Sequence, residues 1–574
     1  MPTTPLRSVT PTIDIYVKLA QYPILCDRIR LRMREELFRR GVISPQQFEK
    51  EVKEMAIESQ QREGLPDPSN QEDEATWQKR LEIIREMHTD MYFANNLGSG
   101  LLDQLIEETL RHDKTPEQAA DLNFNPEIAP WALLFSQGEI YDALPPPEKE
   151  KIKHHLQEIK VVLIKRLMSD QLPFIAIARD VFTVNDLRWV YDRLIGGGKI
   201  GGKASGMMLA WKILAKNEPD WGPNIQQQVD IPETYFIGSE IIYDFIYYNK
   251  LTRFLNQKYL SQEEMEKQYP AIVKAHLAAK LPDITREQLR ETLERLRGRP
   301  FIVRSSSLLE DHIAYSFAGQ YRSYFCPNQQ DPENNLKALE KAIKRVYAST
   351  FNPQAMAERR KHGLIDYDER MAIMIQPLAG HVYGRYFLPT VLGAGRSDTP
   401  WRPDKAAQTD DGFLRLVWGL AGRTVDPLNT QPGSIIMLGH PQKEPAPAAA
   451  APHAQPQQEV RLIDLVANEQ KTLPVSQILK PNYPFLKYIA TPDPHNQNSY
   501  QINFAYLAQD PKFIKLMRSV LLRLKKVYRK PVVLEFTVDI LPTPAGVDYK
   551  LYILQCHTAT QTANRQNIGR QSEI

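Results

Sequence analysis

Cysteine is almost absent. Cys26, Cys326 and Cys556 lie hundreds of residues apart in a chain of 574, a spacing that makes neither a disulfide framework nor a metal-binding motif. Long apolar runs are absent too: no segment approaches the roughly 20 apolar residues needed to cross a bilayer. The amino terminus, Met-Pro-Thr-Thr-Pro-Leu-Arg, lacks the apolar stretch of a signal peptide. Charge of one sign is also missing. With 72 basic and 69 acidic side chains the net charge is +3, so no bulk field points to nucleic acid or to an acidic membrane. These absences lead us to expect a soluble protein of a reducing cytoplasm, without a membrane or nucleic-acid partner.

What is present is length and a change of texture. The chain is too long for one compact core, and its length predicts roughly three or four domains. Residues 12 to about 190 read mostly as helix. Ile152, Leu156, Ile159, Leu163 and Leu167 recur at steps of three and four behind Pro145-Pro146-Pro147, which predicts one long helix from about Glu148. Leu25, Ile29, Met33 and Leu37 repeat the pattern earlier, with Arg28, Arg30, Arg32 and Arg34 spread around that helix as an expected solvated surface. From about residue 195 short β-branched runs ended by Gly, Pro and Ser alternate with helical stretches such as Glu287 to Leu296, which predicts an α+β fold. Between Pro441 and Gln458 there is almost nothing to bury, so this reads as a flexible surface insertion.

Four segments far apart in sequence each place a polar residue at the end of an apolar or glycine-rich run: Gly201 to Lys203, Val303 to Ser306, Leu534 to Phe536, and Leu554-Gln555. Together they supply two cations, a carboxylate and an amide oxygen, the set needed to grip a magnesium-bound nucleoside triphosphate. The run Gly196 to Lys203 nearly fits a phosphate-binding P-loop, but Ala204 stands where the metal-binding Ser or Thr belongs, and Leu187 to Leu194 in front of it looks helical rather than β. By itself it fits a plain glycine turn equally well. Gln376 ends the strand pattern Arg370 to Ile375, either as a nucleotide contact or as a satisfied polar group at a sheet end. In Pro531 to Ile540, period two puts Val532, Leu534, Phe536, Val538 and Ile540 on one face and Glu535, Thr537 and Asp539 on the other. The same alternation puts Leu551, Ile553, Gln555 and His557 together on the next strand. A hairpin would then bring Glu535 and Gln555 within reach of one Mg²⁺, whose preferred ligands are oxygens; without a metal, Glu535 is an ordinary exposed strand acid.

In this order the segments resemble the nucleotide-binding domain of the pyruvate phosphate dikinase and phosphoenolpyruvate synthase family. The resemblance is most specific at Val303-Arg304-Ser305-Ser306, continued by Glu310-Asp311 and Ser316-Phe317-Ala318-Gly319-Gln320. It implies an ATP-grasp-like domain with a first subdomain over 195–330 and a second over 331–560, preceded by a helical domain over 1–190 and followed by a tail over 561–574. It further implies that Lys203 and Arg304 contact ATP phosphates, that Ser316, Gly319 and Gln320 belong to a small-residue loop closing over them, that Gln376 lies on the strand beside the adenine, and that Glu535 and Gln555 hold Mg²⁺. The helical front joined to such a domain also resembles a group of uncharacterised bacterial proteins described as pyruvate or phosphoenolpyruvate binding. Only 19 residues follow Gln555, however, against about 250 for the substrate barrel of the full enzymes, and a phosphohistidine domain is not evident either.

Three positions depart from the family pattern: Gly422 where a loop usually ends in glutamate, Val533 where an acid often precedes the motif, and His557 where an arginine usually follows the glutamine. The last exchanges a permanent cation for one expected to titrate near neutral pH. The expectation is therefore an ATP- and Mg²⁺-dependent phosphotransferase module in which Arg304, Gln555 and His557 act on the transferred group, His557 either supporting it as a cation or accepting it. Its acceptor would be a separate protein or a small molecule. The alternative is a non-catalytic ATP sensor whose helical front is an assembly surface.

Overall fold

The computed structural model describes residues 15, 18, 19, 22, 25–62, 73–97, 99–112, 125–217, 225–310, 321–367, 369–399, 412–421, 433–441, 457–493, 496–544 and 546–559. Ser316, Gly319, Gln320 and Gly422, most of the 441–458 insertion and the 561–574 tail therefore lie outside the described residues. The chain divides into two compact units, Met1–Val162 and Leu163–Ile574. Among the described residues no helix is long and apolar enough to cross a membrane.

The first unit is helical. Helices α1 (Cys26–Arg39), α2 (Pro45–Arg62), α3 (Glu74–Asn96) and α4 (Ser99–His112) pool their apolar stripes: Ile29, Met33 and Leu37 meet Phe48, Val52, Leu81, Ile84, Phe93 and Leu102 in one core. One arginine is not on the solvated surface that the pattern predicts. Arg30 is buried and donates twice to Asp90, at 3.0 and 2.8 Å, and once to Glu86 at 2.6 Å. Its planar fork matches a carboxylate on α3, a partner that α1 alone does not reveal. The long helix expected from Glu148 is two helices, Pro146–Lys151 and Lys153–Leu167, with Ile152 between them.

The second unit mixes helices and sheets, the α+β class expected. It takes in the helices between Leu163 and Tyr191, a boundary earlier than the texture change near 190. Backbone and ion-pair ties account for this: Ile200 N–H donates to Leu167 O at 2.8 Å, and Lys212, on helix α6 (Gly202–Ala215), pairs at 2.6 Å with Asp186 on helix α5 (Val184–Tyr191). A two-residue strand, β1 (Leu194–Ile195), follows α5 and leads into the glycine loop.

One sheet has the order β1, β3 (Tyr235–Ile237), β6 (Met371–Pro377), β4 (Phe301–Ser307), β5 (Tyr324–Cys326). A second has the order β11 (Ser434–Met437), β10 (Phe413–Val417), β9 (Val391–Arg396), β16 (Val532–Thr543), β17 (Gly546–Thr558), β2 (Val229–Asp230). A third sheet of four strands contains β7 (His381–Tyr383), β8 (Tyr386–Leu388), β12 (Glu459–Asp464) and β13 (Glu469–Pro474). β2 ends at Asp230 and β3 begins at Tyr235, in a different sheet, with Pro232 between them. Proline has no N–H for a ladder, so the chain crosses between sheets there.

Helix α6 is apolar almost all round and sits against both β4 and β17, which is the pattern of a buried helix. Its start depends on Gly201, at φ +80°, whose Cα lies so close to β4 that an added Cβ would fall 1.6 Å from the Ser306 carbonyl oxygen.

Helix α7 (Gln262–Ala278) carries a buried histidine that gives this unit an acid sensitivity. His276 lies between Phe245 and Phe351, ring centroids 5.7 and 5.3 Å away, with Nδ1 2.8 Å from Ile272 O and Nε2 buried without a hydrogen-bond partner. Burial holds its pKa down to about 4, below the ordinary value near 6.5 of an unfolded chain. Between those values only the unfolded state takes up the proton, so stability is full above about pH 6.5 and is lost as pH falls towards 4. The loss is on the order of 3 kcal/mol. Denaturant titrations from pH 7 to 4 should show this slope, and His276→Phe should lessen it by about that amount, leaving the part due to His381 and His557, which burial also holds down to about 4; an unchanged slope in that variant would assign the sensitivity elsewhere.

Candidate nucleotide site

Three of the four sequence segments meet across the two larger sheets. Arg304 on β4 donates from Nη2 to Glu535 Oε2 on β16 at 2.7 Å and approaches Gln555 Oε1 on β17 at 3.4 Å. Its Nη1 donates to the Leu554 carbonyl oxygen at 3.0 Å. Both charged groups are nearly fully buried, with side-chain exposures of 8% and 6%. The second carboxylate oxygen, Glu535 Oε1, is buried with no hydrogen-bond partner.

Glu535 and Gln555 are opposed residues in the β16–β17 ladder, but not by strict alternation. Phe536 pairs with Ile553 and Glu535 with Gln555, so Leu554 is an extra residue, a β-bulge. Directly opposed residues share a face. Leu551 and Ile553 therefore join Val538 and Phe536 in the core, while Gln555 and His557 join Glu535 and Val533 on the cleft side. This corrects the single-face reading of β17. The bulge also turns out the carbonyl that Arg304 grips.

Arg304 and Glu535 form part of the wall of a cavity of about 450 Å³ that runs between the sheets. Gln376, Leu392, Thr537 and Tyr324 line it as well. Gln376 donates from Nε2 to Thr234 Oγ1 at 3.0 Å, and its Oε1 is buried without a partner, a free acceptor at the cavity wall. Tyr321, also in the wall, donates at 2.9 Å to Glu369, a carboxyl whose pKa burial raises and which also bonds Ser307.

Lys203 and His557 are placed differently from the arginine. Lys203 is 1% exposed and is not in the cavity wall. Its Nζ donates to Glu310 Oε1 at 2.6 Å and to Ser305 Oγ at 3.1 Å, while Glu310 Oε2 accepts from Ser307 N–H at 2.8 Å. The start of α6 is likewise occupied, because Ala204 N–H donates to Ser306 Oγ at 3.1 Å. The glycine loop thus docks a helix on β4 in this state, and the lysine charge is neutralised by Glu310. His557 lies opposite Val533, with Nδ1 buried and unpartnered. Burial, reinforced by the charges of Lys203 and Arg396, pushes its pKa down to about 4, so it is neutral near pH 7 and not the titrating cation expected.

Sequence reasoning missed Glu310 as the lysine's partner, the Leu554 carbonyl and Arg396. Arg396 carried a usable signal, since it is the one polar residue of the strand Val391–Arg396 and closes it, whereas Arg304 lies within its strand Phe301–Ser307 after an apolar run. Among the described residues no cluster of three or more His, Cys, Asp or Glu could hold a metal. The Glu535 and Gln555 oxygens still fit Mg²⁺, which is commonly held by one or two protein groups with phosphates and water completing its shell.

Part of the chain is similar to rifampicin phosphotransferase of Streptomyces sviceus, 32% identical over 114 residues, which is 20% of this chain and only 12% of that protein. The much longer match is to the family described as the pyruvate phosphate dikinase AMP/ATP-binding domain, over residues 198–573. That span contains Lys203, Arg304, Gln376, Glu535 and Gln555, and by it the chain belongs to this ATP-binding family.

Proposed function

We propose that the second unit is an ATP-grasp-like module, with subdomains over 195–330 and 331–560, that binds ATP with Mg²⁺ between its sheets and transfers a phosphoryl group to a separate protein or small-molecule acceptor in the cytoplasm. The observation that carries this is the buried Arg304–Glu535 pair at a cavity wall, with Glu535 Oε1 left unpartnered beside it. The family match and the partial likeness to a phosphotransferase support it.

In this reading the base occupies the apolar part of the cavity, where Gln376 Oε1 accepts from an exocyclic amino group. Arg304 turns from Glu535 to the phosphates, a charge-assisted bond exchanged for another. Glu535 and Gln555 are then free to hold Mg²⁺, which when bound neutralises phosphate charge. Lys203 reaches phosphate only after its exchange with Glu310. Catalysis rests on positioning and charge, as phosphoryl transfer generally does.

The test is incubation with ATP and Mg²⁺, alone and with candidate acceptors, resolving AMP, ADP, phosphate and pyrophosphate while ATP affinity is measured in parallel. Glu535→Gln should cut product formation about a hundredfold or more and remove the effect of Mg²⁺ on ATP affinity. No ATP binding by the native protein would sink the proposal. The apolar Val533 opposite a neutral His557 favours the second reading, a non-catalytic ATP sensor, which tight binding without any turnover would select.

A further inference from the structure

The cleft face of the second sheet is built in rows, each one residue wide on every strand. Leu392 on β9 opposes Thr537 on β16, and both line the cavity. Two residues further, Ala394, Glu535 and Gln555 form the next row across β9, β16 and β17. Two residues further again, the row is Arg396, Val533 and His557. Successive rows are about 7 Å apart along the strands. A nucleotide whose base lies among the apolar groups of the first row and whose inner phosphates reach the second directs its last phosphate at the third.

We propose that Arg396 is the residue that binds this terminal phosphate. The inference rests on the ATP reading above and adds to it a site that Lys203, Arg304, Glu535 and Gln555 do not account for.

Four features of the third row fit the role. Arg396 is a cation at any working pH and is 9% exposed, so its charge acts in a largely dehydrated setting. Its guanidinium is held in an ion pair: Asp398 accepts from Nε at 2.6 Å and from Nη2 at 3.1 Å, so that, as with Lys203 and Glu310, a carboxylate meets the charge in this state and a phosphate binds by sharing or displacing Asp398. The strand end that carries it is pinned, because Ser397 N–H donates to Val532 O at 3.0 Å and Val532 N–H donates to Ser397 Oγ at 2.8 Å. The residue between Arg396 and His557 is valine, so Asp398, at the strand end, is the carboxylate with which a phosphate shares this cation, and His557 presents an unpartnered Nδ1. Arg396 forms no covalent bond and moves no proton; it supplies fixed positive charge where the transferred group gathers negative charge.

The experiment compares ATP, ADP and AMP affinities by calorimetry, with Mg²⁺ present, for the native protein, Arg396→Met and Arg396→Lys, with Arg304→Met as a control for the site itself. Arg396→Met should bind AMP as the native protein does and lose about ten- to a hundredfold in affinity for ATP, so that the ATP-to-AMP preference collapses. Arg396→Lys, which keeps the charge and most of the packing, should recover part of that preference. A merely structural role would weaken all three nucleotides together. If both Arg396 variants keep the native ATP-to-AMP ratio while Arg304→Met loses ATP, Arg396 is not a phosphate ligand and the ATP site stands. If the native protein binds no adenine nucleotide, both readings fall.

Discussion

Arg304→Met is expected to abolish phosphoryl transfer and, in the same variant, to let Mn²⁺ bind without nucleotide. On the proposed function the guanidinium has two jobs that exclude each other. In the structure it neutralises Glu535 and bonds Leu554 O and Gln555; in the proposed ATP complex it is needed by the phosphates. Removing a preorganised cation from a phosphoryl-transfer site costs about a thousandfold in rate. Removing it from this buried pair also leaves a carboxylate without a counter-charge, a loss of about 3–5 kcal/mol. A divalent cation offsets that loss, so Mn²⁺ should raise the melting temperature of Arg304→Met by far more than that of the native protein. Mn²⁺ binding followed by electron paramagnetic resonance reports the same exchange directly. A variant that turns over at the native rate, or that gains no affinity for Mn²⁺, would show that Arg304 does not hold the metal position in the absence of ATP.

The largest effect on stability should come from a single methyl group. Gly201→Ala combines φ +80° with a Cβ only 1.6 Å from the Ser306 carbonyl oxygen and 2.5 Å from its carbon. Neither neighbour is the end of a flexible side chain, so α6 must leave β4, and with it go the Lys203–Glu310 pair and the packing of α6 on β17. The expected loss exceeds about 4 kcal/mol, the exceptional class for one substitution, and should be read as failure of the second unit to give a cooperative denaturant transition. Gly384→Ala is the control. Gly384 has φ +60° with open space around it, so only the left-handed backbone cost of about 1–2 kcal/mol applies. Equal stability of the two variants would refute the close contact.

What was legible in the sequence was local. The strands carrying Arg304, Gln376 and Glu535 announce themselves because an apolar run ending in one polar residue is what a strand entering a cleft looks like, and all three residues do line one cavity. What was hidden required distant partners. Arg30 is a surface arginine by helix periodicity and a buried one by virtue of Asp90. Lys203 follows glycines as a phosphate-binding lysine does, yet Glu310 takes its charge. His557 has an ordinary imidazole, and its pKa is set by burial and by cations from α6 and β9. The third row became visible only when the registers of β9, β16 and β17 were known together.

The bulge at Leu554 changes what can vary in this protein. What it supplies is one increment of chain and a backbone carbonyl, and any residue has both. Exchange of the side chain is therefore a mild event, limited to its packing near Leu392 and Ala394. Loss of the position is different in kind: a single-codon deletion would leave Ile553 and Gln555 adjacent, still opposite Phe536 and Glu535 and still on opposite faces, but would remove the carbonyl that Arg304 Nη1 holds. At this point in the gene, reading length is under stronger constraint than spelling.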